Sequence, residues 1–128
     1  MAYTQIQKIE NSSASDQWGI RSVVDGYHMV VAREASASAE VYKRDISGVW
    51  QNQGSITGNT GLSMYGNYFT IARSSANLDI FNKDNISSAL QTINESTGTS
   101  TFGNSVAIGE NYIAIGDQAE DTNTGQVF

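Results

Sequence analysis

One short pattern recurs three times along this chain and limits its fold more than any other feature. His28-Met29-Val30-Val31-Ala32-Arg33, Tyr68-Phe69-Thr70-Ile71-Ala72-Arg73 and Tyr112-Ile113-Ala114-Ile115-Gly116-Asp117 each place a ring residue before an apolar-rich triplet. Upstream, Trp18-Gly19, Thr60-Gly61 and Phe102-Gly103 align. Downstream, Glu40-Val41-Tyr42 aligns with Asp79-Ile80-Phe81 and Gln126-Val127-Phe128. Ala72 follows Ala32 by 40 residues and Gly116 follows Ala72 by 44; wrapping from Gly116 through the end to Ala32 gives 44 again. Repeats of this length are single supersecondary units that bury a core only by stacking on their neighbours. The reading is one domain over 1–128, with repeats at about 16–58, 59–99 and 100–128.

The repeats read as strands. Short runs of β-branched and aromatic residues recur at intervals of roughly ten, and no window holds a sustained helical stripe. Proline is absent, so Ser, Asn, Thr and Gly punctuate the chain. Trp50 to Ile56 supplies a fourth strand to the first repeat and Leu90 to Ile93 to the second. The third repeat lacks one before Phe128, but Tyr3 to Ile9 overlays Trp50 to Ile56 without a gap. The segment 2–9 is therefore assigned to the last repeat.

Phe102-Gly103-Asn104-Ser105-Val106-Ala107-Ile108, Tyr112 to Gly116 and Gly125-Gln126-Val127-Phe128 together resemble an FG-GAP-type blade, as in the integrin α-chain propeller. The resemblance implies an all-β propeller with three four-stranded blades per chain. Propellers close with four to eight blades, so two chains make a six-bladed ring, a homodimer with two-fold symmetry. The unpaired edge at Phe128 then takes the segment 2–9 of the second copy. The residues expected at this closure are Tyr3, Ile6, Ile9, Val127 and Phe128. A monomeric β-trefoil fits the same arithmetic and is the alternative.

Chemistry is sparse. Cysteine is absent and His28 is the only histidine, which excludes thiolate sites and multi-histidine metal centres within one chain. Ser-His-acid catalysis has one histidine to draw on, and His28 sits in a slot filled elsewhere by Tyr68 and Tyr112, where packing is expected. The other tyrosines and the tryptophans are expected to pack as well. A net charge of −6 argues against nucleic acid or anionic membranes. No apolar run reaches the roughly 18 residues of a membrane helix, and Met1 to Glu10 lacks a signal-peptide core; the compartment stays open. The chain is expected to be a non-enzymatic binding or scaffold protein, with a lectin-like carbohydrate-binding module as the alternative and a protein ligand also open. Arg33, Arg73 and Asp117 follow the second strands and are the candidate ligand site at a channel mouth, for an anionic or polyol ligand. No cofactor is expected. The loop after Asp117 lacks the alternating oxygen ligands of a calcium site; were calcium to bind, Asp117, Glu120 and Asp121 would be its ligands.

Overall fold

A computed structural model describes residues 5, 7–10, 15, 17–73, 77–95, 101–118 and 125–128. Among them are eleven strands and no helix, in three antiparallel sheets. Sheet one holds β1 (Trp18–Asp25), β2 (His28–Arg33), β3 (Ser38–Arg44) and β4 (Trp50–Thr57). Sheet two holds β5 (Thr60–Tyr65), β6 (Tyr68–Arg73), β7 (Asn77–Asn82) and β8 (Gln91–Asn94). Sheet three holds β9 (Ser105–Ile108), β10 (Ile113–Asp117) and β11 (Gln126–Val127). Within each sheet, strands adjacent in the chain pair with each other, and among the described residues none pairs across sheets. Two residues, Gly58 and Asn59, link sheet one to sheet two.

The aligned glycines have a common physical role. Gly19, Gly61 and Gly103 all adopt positive φ, at +84°, +59° and +78°. The β1–β2 register shifts between Trp18 and Arg21, and the β5–β6 register between Thr60 and Ser63. A bulge with a left-handed first residue needs glycine, because a Cβ there collides with the backbone. In sheets one and two the repeated glycine thus marks the point where the first strand bends into its sheet; Gly103 lies just ahead of β9, whose register with β10 is regular.

The core lies between the sheets, and strand alternation sorts side chains to opposite faces. From sheet two, Phe69, Ile71 and Phe81 face sheet one and meet Val30, Ala32, Ala39, Val41 and Ile56. The Phe69 and Phe81 rings stack at 5.4 Å. From its other face, Ala72 and Leu78 meet Phe102 and Ile115 near sheet three. Both faces of sheet two are covered, so Phe69 to Ala72 and Leu78 to Phe81 are buried without interruption. In both interfaces an alanine-bearing face of one sheet (Ala32 and Ala39; Ala72) receives a phenylalanine from the next (Phe69 and Phe81; Phe102).

The structure corrects one alignment. The sequence set Gln126 against Glu40 and Asp79. In register, Val31 faces Glu40 and Ile71 faces Asp79, whereas Ile115 and Phe128 exchange backbone hydrogen bonds. Phe128 therefore holds the acidic residue's place. The connection from Asp117 to Gln126 is longer than its counterparts in sheets one and two, and this length displaces the third strand by two residues.

Candidate functional site

Arg33, Arg73 and Asp117 stand at equivalent strand ends, each on the face that looks toward the preceding sheet. Arg73 makes two contacts with the buried Asp79: Nε to Oδ2 at 2.8 Å and Nη2 to Oδ1 at 3.0 Å. The Thr92 hydroxyl also donates to Asp79 Oδ1, at 2.6 Å. This network borders a cavity of about 380 Å³ between sheets one and two, with Ser55 and Ser87 on its wall. Arg33 pairs with Glu40 in the same diagonal arrangement, and Tyr42 donates to Glu40 from the same face. Asp117 is buried and accepts from the Thr101 hydroxyl. The three positions lie on three successive faces of the stack; Arg33 and Arg73 are engaged within their own sheets and Asp117 by Thr101, ahead of β9. Glu120 and Asp121, the other two residues of the calcium reading, lie outside the described residues, as do Tyr3 and Ile6. Ile9 is half-buried, and residues 7–10 pair with no strand in the single chain. Gln7 brackets the backbone of Trp50, accepting from its N–H at 2.9 Å and donating to its carbonyl at 3.4 Å.

The sequence missed a second set of charges, at the opposite end of the stack. Lys83, buried in the β7–β8 connection, donates to Asp25 at 2.8 Å. Asp84 accepts from Lys43 and from His28 Nε2. Those hydrogen bonds, Lys43 first, hold the Asp84 carboxyl below its ordinary range. His28, with its side chain 14% exposed, is packed as expected and also forms a polar bridge between sheets. The partners stand 41 to 58 residues apart in the chain, so no local pattern announces them.

Asp45 organises the β3–β4 loop at the same end. Its Oδ1 accepts from the Val49 N–H at 2.9 Å and the Ser47 hydroxyl at 2.8 Å, and its Oδ2 from Gln51 at 2.9 Å. The Val49 hydrogen bond, then Gln51 and Ser47, pull its pKa from the ordinary 3.8 down to about 2. A carboxyl lowered by folding stabilises the fold above its unfolded pKa, and that contribution fades as pH falls toward the folded value. Asp45→Asn is expected to lower the thermal midpoint at pH 6, with the difference from the parent narrowing at pH 3. A difference that stays constant with pH would show that the ionised carboxylate does not hold the loop.

No protein-family model, curated protein or solved structure matches the chain. The functional reading therefore rests on the chain's own geometry. Among the described residues no three His, Cys, Asp or Glu side chains gather as metal ligands do. What the site offers is closed ion pairs at both ends, with exposed tyrosines beside them at the hairpin-turn end. Tyr27, Tyr65, Tyr68 and Tyr112 are all exposed there, which overturns the expectation that they pack in the core. Strand alternation assigns a ring to a face, but these four sit at hairpin turns, beyond the reach of the neighbouring sheet.

Proposed function

We propose that the chain is a binding or scaffold half-ring that closes with a second copy into a six-bladed propeller built from FG-GAP-like repeats. One observation carries the reading: the two outer faces of the stack complement each other as the inner ones do. Sheet one turns Met29, Val31 and Tyr42 away from sheet two, in the positions where Phe69, Ile71 and Phe81 of sheet two face sheet one. Val31 and Tyr42 are already buried within the single chain, at 5% exposure each, so a joint on this face requires what covers them to give way. Sheet three turns Ala107, Ala114, Gly116 and Val127 outward, a small-residue face like the one sheet one offers to sheet two. Ala107 and Ala114 are exposed, and Val127 is 78% exposed. Seating one copy's Tyr42 face on the other's alanine face repeats the existing packing, once at each joint of a two-fold pair.

Edge chemistry supports the same closure. Among the described residues β11 is an unpaired edge in a sheet of three strands, and open edges accept strands. Residues 2–9 of a second copy carry the fourth-strand pattern that fits it. Gln7 already touches Trp50, much as Gly54 of β4 approaches Ile86 ahead of β8, where an added Cβ would stand 3.2 Å from Ile86 Cδ1. Pairing confined within each sheet also favours blades over a trefoil barrel, whose repeats share strands. Light scattering after size exclusion is expected to give twice the 13.8 kDa chain mass. Val127→Arg is expected to return the mass of one chain with the β-sheet circular dichroism unchanged. A parent that stays at one chain mass at ~100 µM, well above the ~µM weak limit of standard-size protein interfaces, would overturn the reading.

A further inference from the structure

We infer that the groove between sheets two and three, at the tyrosine-bearing end of the stack, is a binding site for a neutral saccharide. The groove has a volume of about 340 Å³, within the range of small-molecule sites. Tyr68 and Tyr112 border it, 45% and 85% exposed, with Leu90 completing the apolar wall. Gln91, Glu110 and Asn111 supply its polar side chains.

Three properties point to a sugar. First, the aromatic surface is exposed but flat and local. A pyranose presents an apolar C–H face that lies on such rings, as apolar ligand surfaces stack on aromatic faces. Second, the side-chain polar groups of Tyr68, Gln91, Glu110, Asn111 and Tyr112 make no hydrogen bond to any described residue. The two amides donate and accept, the phenols do both, and the carboxylate accepts, which matches hydroxyls that also do both. The arginine end of the stack contrasts with this, because its polar groups already bond to one another. Third, no Lys or Arg lines the groove and the chain carries −6. Phosphate, sulfate and uronate ligands would meet repulsion there, which leaves uncharged sugars.

The repeat explains why this groove stands open. Tyr68 and Tyr112 occupy the slot that His28 holds in sheet one. There the β7–β8 connection folds over and Asp84 engages His28. No described segment lies over Tyr112 in the same way. The groove belongs to one chain, so its binding is read whether or not two copies associate.

Saturation-transfer NMR with the full chain tests the site. The probes are the methyl glycosides of glucose, galactose, mannose and N-acetylglucosamine, and their β-linked disaccharides. At least one probe is expected to show transfer at its ring protons. Tyr112→Ala is expected to weaken it by about tenfold, the loss of one ring contact. Glu110→Gln is expected to weaken it less, and Arg33→Ala to leave it unchanged. Tyr112 is mostly exposed, so its replacement leaves the core intact, and circular dichroism verifies this. No transfer from any probe, or transfer that survives Tyr112→Ala, overturns the assignment.

Discussion

Phe69→Ala is expected to cost about 3–5 kcal/mol, the usual range for emptying a buried phenylalanine site. Phe69 has no exposed surface, stacks on Phe81 and fills the interface of sheets one and two. Its partners are strands held in ladders on both sides, so the cavity cannot collapse without breaking backbone pairs. A domain of this size has about 5–15 kcal/mol in total, so the variant would lose a large share of it. The check is the urea midpoint at constant slope. A loss below about 1 kcal/mol would mean that sheets one and two do not pack through this ring.

Gly61→Ala is the second large effect, and it arises from two sources that can be separated. Gly61 has φ of +59°, and a left-handed residue with a Cβ costs about 1–2 kcal/mol. A Cβ there would also stand 2.5 Å from the Gly103 carbonyl oxygen and 3.0 Å from the Ala72 Cβ. Gly103 is tied to β10 through its N–H to the Gly116 carbonyl, so relieving that contact requires sheets two and three to part. Relieving the Ala72 contact strains the β5–β6 pair; together these cost about 1–3 kcal/mol. Gly66→Ala isolates the first source. Gly66 sits in the β5–β6 turn at φ +55° with nothing within 4 Å of an added Cβ. Thermal melts should rank the parent above Gly66→Ala and Gly66→Ala well above Gly61→Ala. Equal losses would show that the sheets do not approach so closely at Gly61.

Much of the strand layout was legible, because apolar triplets such as Val30-Val31-Ala32 and Phe69-Thr70-Ile71 have no other economical reading. Trp50 to Ile56 and Leu90 to Ile93 fall within a residue or so of β4 and β8. The third strand of the last repeat was misplaced, since matching Gln-Val-Phe to Glu-Val-Tyr ignores the loop length that sets register. The Arg33 and Arg73 slots were legible as equivalent positions, but not their acidic partners, which lie diagonally across a strand pair. The bridge from Lys43 and His28 to Asp84 was not legible at all. It depends on how a connection of sheet two folds over sheet one, and nothing in either segment's pattern encodes that. The tyrosines were misread for a related reason: periodicity tells which face a ring takes but not where the neighbouring sheet ends.

The two-residue link at Gly58 and Asn59 has a mechanical consequence. Three virtual bonds join Thr57 to Thr60, a reach of roughly 10–11 Å when fully extended. Stacked sheets stand about 10 Å apart. Sheets one and two are thus tethered at almost their contact distance, and the linked strand ends cannot draw apart: any opening between these two sheets has to pivot about this corner.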